Sequence, residues 1–157
     1  MGLIHVLSAA SASFIANHDS KMVQPNAIDL RLREVWRLET TTFVLDEDSK
    51  TPRHRTVVPT DIDGYWHLWP GAYEIRLGDT ISIGPEEAGL VIPRSTLNRN
   101  GVFITTGLYD SGYTGSMLAC LHVTTDLFMV KKDTRLAQFL LFTAEALHQY
   151  DGQYQNK

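Results

Sequence analysis

Apolar and polar residues alternate along several short stretches of the chain, which is typical of β-strands with one buried face. In AIDLRL (27–32) three aliphatic residues alternate with charged ones, and YEIRL (73–77) repeats the pattern. The alternation predicts half-buried strands and places Asp29 opposite the apolar face. Other stretches rich in β-favouring residues are 36–45, 67–93, 116–125 and 127–132. Turn signals, including one at Gly78-Asp79 that predicts a strand break, recur about every ten residues and predict an all-β barrel or sandwich.

Three segments depart from this strand pattern. SAASASFIAN (8–17) is rich in small residues and Ser8 can cap a helix, so we predict a short N-terminal helix. DEDSKTPRHR (46–55) is charged and has no apolar period, which predicts a long exposed loop. TRLAQFLLFTAEALHQY (134–150) favours a helix by propensity, yet its first half is also an apolar run of strand length. The residues alone leave this last segment open.

The overall composition predicts one domain spanning residues 1–157, with 43% hydrophobic and 20% charged residues. A formal net charge of −4 provides no basic field, so neither nucleic acid nor a membrane is expected as a partner. No apolar run is long enough to span a membrane, and the first residues lack the pattern of a secretory signal. The single cysteine, Cys120, excludes an internal disulfide framework. We therefore expect a cytoplasmic protein.

Several common catalytic motifs do not occur in the sequence. The six histidines are scattered and the lone cysteine has no partner, so no zinc site is expected. The zinc deaminase signature, the phosphate loop, the dinucleotide fingerprint and the nucleophile elbow are absent. Cys120 lies in an apolar stretch, where a buried inert thiol is expected rather than a nucleophile.

One stretch combines residues that can bind phosphate. PRSTLNRNGVFITTGLYDSGYTG (93–115) contains Arg94, Ser95 and Arg99 ahead of a chain reversal beside Asp110. Taken by itself, the stretch is typical of an ordinary hairpin, because Asp and Gly are the usual turn residues. Its arginines and hydroxyl are nevertheless the donors that phosphate oxygens require.

Residues elsewhere in the chain extend this combination. Asp29 adds a second carboxylate, and Arg135 adds a third arginine shortly before Gln138. Carboxylates can hold Mg²⁺ or activate water, and guanidinium groups bind phosphate oxygens. Because the chain has no global positive charge, a phosphate-bearing ligand has to be bound locally by such groups. The set therefore favours a site for a metal–polyphosphate.

The motifs that contain these residues resemble those of the superfamily that includes dUTP diphosphatase and dCTP deaminase. VQPNAIDLRL (23–32) is similar to the first motif of the deaminases, and PRSTL (93–97), with Arg99, is similar to the second. GLYDSGYTG (107–115) resembles the third motif of the diphosphatases, and DTRLAQFLLF (133–142) resembles the fourth. The motifs occur in family order and cover nearly the whole chain.

The resemblance implies a dUTPase-like distorted β-barrel of the β-clip type, in which the ambiguous apolar run is a strand. It also implies a homotrimer with active sites shared between neighbouring subunits, a pyrimidine deoxynucleoside triphosphate as substrate, and Mg²⁺ as cofactor. Asp110 is expected to be the general base that activates the attacking water, and Asp29 to help hold Mg²⁺ through water. Tyr113 is expected to stack under the deoxyribose and exclude a 2′-hydroxyl.

The resemblance assigns substrate binding to several further side chains and to one stretch of backbone. The phosphates are expected to contact Arg94, Ser95 and Gln138, with Arg99 and Arg135 in support. Backbone groups from Ile104 to Gly107 are expected to read the pyrimidine edge, since strand amides are rigid donors and acceptors. Tyr150, in the tail motif, is also expected to contact the substrate.

Two features separate the diphosphatase from the deaminase interpretation. In the deaminases a glutamate ten residues after the motif aspartate activates water at the pyrimidine C4, and that position is Cys120 here. A thiol cannot shuttle protons near pH 7 as such a glutamate does. The spacing from Arg99 to Asp110 is also the shorter one of the diphosphatases.

The C-terminal motif favours the opposite branch. YDGQYQ (150–155) is similar to the deaminase-type tail, but Gln153 stands where a lysine is expected, and the sequence has no glycine-rich arm. A neutral amide weakens the triphosphate contact, since charge-assisted hydrogen bonds are about twice as strong as neutral ones. We therefore expect a hydrolase with a short lid or none, with slower turnover or an unusual base preference.

The primary hypothesis is hydrolysis of dUTP to dUMP and diphosphate. One alternative is deamination of dCTP, and another is a non-catalytic, nucleotide-binding regulatory homologue. The pyrimidine base stays open among uracil, a modified uracil and cytosine.

Overall fold

Thirteen β-strands and one short helix form the protein, in a computed structural model that describes residues 1–157. The strands are β1 (Leu3–Ile4), β2 (Phe14–Ile15), β3 (Ile28–Leu38), β4 (Val44–Leu45), β5 (Lys50–Thr51), β6 (Arg55–Val57), β7 (Tyr65–Leu68), β8 (Gly71–Ser82), β9 (Glu87–Pro93), β10 (Val102–Thr105), β11 (Thr114–Val123), β12 (Phe128–Lys131) and β13 (Arg135–Thr143). The helix α1 (Ser95–Asn98) lies between β9 and β10. No helix in the protein has the length and apolarity that crossing a bilayer requires.

The strands pair in antiparallel fashion throughout. The main sheet has the order β1-β13-β3-β8-β11-β10, with β2 added to β8, β6 to β3 and β9 to β13. Strands β3, β8 and β13 each change partners along their length, so the sheet bends around one core as a distorted barrel. Two small sheets, β12-β7 and β4-β5, complete the fold. The predicted all-β class is confirmed.

One hydrophobic core of 29 buried residues fills the interior. The period-two alternation supplies much of it, because every second side chain of a strand points to the same face. In β3 and β8 the core-facing residues are Ile28, Leu30, Leu32, Tyr73, Ile75 and Leu77, all less than 4% exposed. The strand assignments made from alternation are therefore confirmed.

The predicted strand break at Gly78-Asp79 is wrong, because β8 runs through it. Gly78 has a φ of +63°, and the register with β11 shifts between Ser116 and Met117. A Cβ atom on Gly78 would lie 3.0 Å from Met117 Cε. The glycine therefore marks a β-bulge, which bends the strand without ending it.

The predicted helix over residues 8–17 is also wrong. The hydroxyls of Ser8 and Ser11 each accept a hydrogen bond from the amide two residues further on, at 3.2 and 3.1 Å. Such local bonds compete with helical ones. Strand β2 instead pairs with β8, which buries Ile15.

The two remaining segments differ in outcome. Residues 46–55 are exposed, as predicted, but they are not a plain loop, because β4 and β5 form a small hairpin and β6 begins at Arg55. Residues 135–143 form strand β13, which agrees with the strand implied by the family resemblance.

Candidate active site

A fully buried carboxylate, that of Asp29, lies at the centre of the first group of predicted site residues. Gln138 Nε2 donates a hydrogen bond to Asp29 Oδ1 at 3.1 Å, and Arg135 Nη1 donates to Oδ2 at 3.1 Å. Arg94 Nε lies 3.6 Å from Oδ2, and Gln24 Nε2 donates to it at 3.4 Å. We call Asp29, Arg94, Arg135 and Gln138 the Asp29 cluster.

Strand pairing produces the Asp29 cluster. Asp29 and Gln138 are register partners in the β3–β13 ladder, and β9, which ends just before Arg94, pairs with β13 on its other edge. The backbone N–H of Arg94 donates to the carbonyl of Leu136 at 2.9 Å. The prediction of a half-buried strand is wrong at Asp29, because these side chains cover its second face.

The charge balance of the Asp29 cluster favours binding of anions. Two guanidinium groups flank one carboxylate, so one positive charge is uncompensated. Arg94 and Arg135 keep about a third of their side-chain surface exposed, at 35% and 31%, while Asp29 has none. A buried carboxylate needs paired, hydrogen-bonding partners, and here it orients both arginines. Oriented guanidinium groups with exposed N–H donors can bind phosphate.

The Asp29 cluster does not fit a preformed Mg²⁺ site. Both carboxylate oxygens of Asp29 already accept hydrogen bonds from neighbouring side chains. No group of three or more His, Cys, Asp or Glu side chains that could hold a metal ion occurs in the protein. Magnesium requires near-octahedral oxygen coordination. An ion could therefore not bind the Asp29 carboxylate directly while the Asp29 cluster is intact.

Asp110 lies apart from this cluster, in the wall of a cavity of about 490 Å³. Gly107, Tyr113 and Tyr150 of the predicted set line the same cavity. None of the residues of the Asp29 cluster lines it. One chain therefore contains two separate groups of predicted site residues, the Asp29 cluster and what we call the Asp110 cavity, and we use the label half-site for each group.

A tight turn presents Asp110. The backbone N–H of Tyr113 donates to the carbonyl of Asp110 at 3.0 Å, and Gly112 has a φ of +83°. A glycine at the third position is typical of a type II turn. The hydroxyl of Ser111 donates to the Glu87 carbonyl at 2.6 Å, which ties the turn to β9. The side chain of Asp110 stays exposed, so its carboxylate is free to meet water.

Tyr113 is held rigidly beside Asp110. Its hydroxyl donates to the Ser116 carbonyl at 2.7 Å, and its ring centroid lies 5.5 Å from that of Tyr109 and 5.4 Å from that of Tyr150. Burial, together with Tyr150, raises the pKa of Tyr113, and burial, together with Tyr113, raises the pKa of Tyr109. Both hydroxyls therefore stay protonated and keep their hydrogen bonds.

The C-terminal residues lie along the turn of their own chain. The backbone N–H of Tyr150 donates to the Ser111 carbonyl at 2.7 Å. The Gln155 side chain accepts from the Thr114 N–H and donates to the Gly112 carbonyl, both at 3.0 Å. These bonds place Tyr150 in the wall of the Asp110 cavity.

Three predicted residues belong to neither half-site through their side chains. Ser95 and Arg99 are exposed, at the start of α1 and just after its end, and no ion pair joins Arg99 to another residue. Ile104 is 6% exposed and packs in the core, so only its backbone could contact a base. Their assigned roles stay predictions.

Comparison with known proteins connects this geometry to a family. The family model described as dCTP deaminase-like matches residues 3–144. The chain belongs to the dCTP deaminase-like family. This confirms the predicted resemblance to the superfamily of dCTP deaminases and dUTP diphosphatases.

The similar relatives of this dCTP deaminase-like chain include archaeal proteins. It is 32% identical over 154 residues to a probable deoxyuridine 5′-triphosphate nucleotidohydrolase of Halobacterium salinarum, covering 92% of each chain. It is 34% identical over 139 residues to the protein of that name from Methanosarcina barkeri, covering 86% of this chain and 81% of the relative. The dCTP deaminase of Agrobacterium tumefaciens shares its fold, with a TM-score of 0.59 and 21% identity over 83% of this chain and 42% of that one.

The structure of this dCTP deaminase-like protein adds residues that the motifs do not mark. Leu38, Glu74 and Lys157 line the Asp110 cavity, and so does Cys120. The thiol is half-buried in the cavity wall, whereas a core position was predicted. Burial raises the pKa of Cys120, and Arg53 opposes this only in part. Alternation predicts that Glu74 faces away from the core, but only strand pairing places it beside Cys120.

Proposed function

We propose that the protein hydrolyses dUTP to dUMP and diphosphate. The observation that carries the proposal is the pairing of an exposed carboxylate, Asp110, with a rigid buried aromatic, Tyr113, in one cavity. The names of the archaeal relatives support it, because these proteins are described as probable deoxyuridine 5′-triphosphate nucleotidohydrolases.

Asp110 acts as the general base. Its carboxylate takes a proton from a water molecule, whose oxygen attacks the α-phosphorus. The bond from the α-phosphorus to the bridging oxygen then breaks, and diphosphate leaves with the electron pair. Tyr113 stacks under the deoxyribose and leaves no space for a 2′-hydroxyl, and the backbone from Ile104 to Gly107 contacts the base.

The Asp29 cluster binds the phosphates. Arg94, Arg135 and Gln138 present donors that Asp29 holds in place. Ser95 and Arg99 extend the phosphate contacts from the two ends of α1. Positioned guanidinium groups stabilise the negative charge that develops on the phosphates, in a site where water is partly excluded.

The division of the site supports a homotrimer. Within one chain the phosphate-binding residues do not line the Asp110 cavity, so a complete site requires a second copy of the chain. In a ring of three subunits each Asp110 cavity faces the Asp29 cluster of a neighbour, and one contact type repeats around the ring. Tyr150 closes the site from the tail.

Magnesium would enter as part of the substrate. Since no group of three or more His, Cys, Asp or Glu side chains could hold the ion, polyphosphate oxygens would carry it, and Asp29 would contact it only through water. When bound, the magnesium ion neutralises phosphate charge.

We place the protein in the cytoplasm, where its free thiol at Cys120 stays reduced.

Deamination of dCTP is the less supported alternative. Cys120 lines the cavity at the position where deaminases carry their catalytic glutamate, and its raised pKa keeps it a neutral thiol. A neutral thiol cannot act as the proton shuttle that attack at C4 requires.

The test is to incubate the pure protein with dUTP and Mg²⁺ and to measure diphosphate and ammonia separately. We expect diphosphate release without ammonia, and a loss of about 10²-fold or more in Asp110→Asn. Asp126→Asn, at another exposed aspartate, is the matched control and should keep full activity. An inactive wild-type protein, or an active Asp110→Asn, would overturn the proposal.

A further inference from the structure

A second carboxylate, that of Glu74, lies at the far end of the Asp110 cavity. Glu74 and Cys120 are register partners in the β8–β11 ladder, and Cys120 is in turn the partner of Thr105 in β10. All three residues line the cavity. Adjacent strands lie about 4.8 Å apart, so the Glu74 and Thr105 backbones are about 10 Å apart across this row.

This row lies level with the backbone that is proposed to contact the base. Thr105 lies within the stretch from Ile104 to Gly107, and antiparallel pairing fixes Glu74 directly across from it with one strand between. A pyrimidine bound by that backbone, as proposed above, would lie over this row, between Thr105 and Glu74. Cys120 forms the floor between them.

An arginine contacts the Glu74 carboxylate at this end of the cavity. Arg55 Nη1 contacts Glu74 Oε1, and the Arg55 guanidinium lies 4.5 Å from the Trp36 ring centroid. Arg55 itself does not line the cavity. Glu74 is the one charged side chain that lines this end of the cavity, because Asp110 and Lys157 belong to the other end of β11. The guanidinium groups of Arg55 and Arg53 lie close by without lining it.

The chemistry of an ionised carboxylate distinguishes the pyrimidine bases. A carboxylate can only accept hydrogen bonds, and the 4-amino group of cytosine donates them. The 4-oxygen of uracil is an acceptor, so a carboxylate beside it is unfavourable. A glutamine at the same position would instead offer both a donor and an acceptor.

We propose that Glu74 reads the 4-position of the pyrimidine and makes dCTP a substrate of the same α-phosphate hydrolysis, alongside dUTP. Water adds to the α-phosphorus of dCTP, the bond to the bridging oxygen breaks, and dCMP and diphosphate form while the amino group is retained. This inference rests on the proposed diphosphatase activity, and it names the residue that sets the base preference.

The experiment compares wild type with Glu74→Gln on dCTP and dUTP, with diphosphate and ammonia measured in each reaction. We expect wild type to release diphosphate from both nucleotides without ammonia. In Glu74→Gln the ratio of kcat/KM for dCTP to that for dUTP should fall about tenfold or more. Glu34→Gln is the matched control, because Glu34 also pairs with an arginine, Arg76, on a neighbouring strand but does not line the cavity. Its ratio should equal that of wild type.

The possible results separate this inference from the proposed function. The role of Glu74 would be overturned, and the proposed function kept, by either of two results. One is that wild type hydrolyses dUTP but not dCTP, and the other is that the ratio of kcat/KM for dCTP to that for dUTP is unchanged in Glu74→Gln. Ammonia release would overturn that role in favour of deamination.

If neither nucleotide is hydrolysed, the proposed function fails, and calorimetric binding of the imido analogues of dCTP and dUTP then decides the role of Glu74. Equal affinities, or no binding, would contradict it. Should Glu74→Gln not fold, Glu74→Asp replaces it, with a smaller shift expected.

Discussion

Asp29 and Gln138 face each other on the paired strands β3 and β13, and a hydrogen bond of 3.1 Å from Gln138 Nε2 to Asp29 Oδ1 joins them. The other oxygen of this buried carboxylate accepts a hydrogen bond from Arg135 and lies 3.6 Å from Arg94 Nε. One buried anion thus orients three of the side chains that we assign to phosphate binding. Asp29 is therefore primarily an organising residue of the site.

Replacing Asp29 should destabilise the protein strongly. In Asp29→Asn the arginines lose their buried counter-charge, and breaking a buried ion pair costs about 3 kcal/mol or more. Urea denaturation measures the free energy of unfolding. Asp19→Asn, which removes the exposed ion pair with Arg31, should change it little and serves as the control. If the two substitutions lowered the free energy of unfolding equally, burial would not explain the contribution of Asp29 to stability.

Mixed oligomers should regain activity if the site is shared between subunits. Asp110→Asn and Arg94→Ala should each be inactive when pure, because each lacks one half-site. Refolding an equal mixture from denaturant should restore about a quarter of wild-type activity, since that fraction of sites in a ring combines two intact halves. Each variant refolded alone is the control. If the mixture is as inactive as its components, the active site is not shared between subunits, and both half-sites must act within one chain.

Alkylation of Cys120 should be slow and should depend on pH. Burial raises the pKa of this thiol, so less thiolate is present at pH 8 than in an ordinary cysteine, and the reactive thiolate appears only at higher pH. We expect iodoacetamide to react several-fold more slowly with the folded protein than with the urea-unfolded protein. The imido analogue of dUTP should slow the reaction further, since Cys120 lines the Asp110 cavity. A rate unaffected by unfolding would contradict the burial of this thiol.

Gly78→Ala should destabilise the barrel. Gly78 has a φ of +63°, a conformation that costs an L-residue about 1–2 kcal/mol, and an added Cβ would lie 3.0 Å from Met117 Cε. Gly107→Ala is the control for stability, because a Cβ there would meet no atom within 4 Å. Thermal denaturation should show a lower Tm for Gly78→Ala only. A stable Gly78→Ala would mean that the bulge tolerates a side chain.

The predictions that succeeded depend on local properties of the chain. Alternating side chains in β3 and β8 are buried on one face whatever strands lie beside them, so period two is sufficient to find the core. The helix predicted at 8–17 failed because pairing with β8 outweighs the weak helical preference of small residues. The break predicted at Gly78 failed for a similar reason, since a positive φ can bend a paired strand as well as end one.

The findings about the site likewise divide into those that depend on local properties of the chain and those that depend on the pairing of distant strands. The order and spacing of the motifs are sufficient to identify Asp110, Tyr113 and the arginines as site residues. The burial of Asp29 beneath Gln138, 109 residues away, and the separation of the Asp110 cavity from both depend on the folded chain. The folded chain also places Glu74 across from Cys120. Pairing of distant strands sets these positions, and it depends on the packing of the whole barrel rather than on any local pattern.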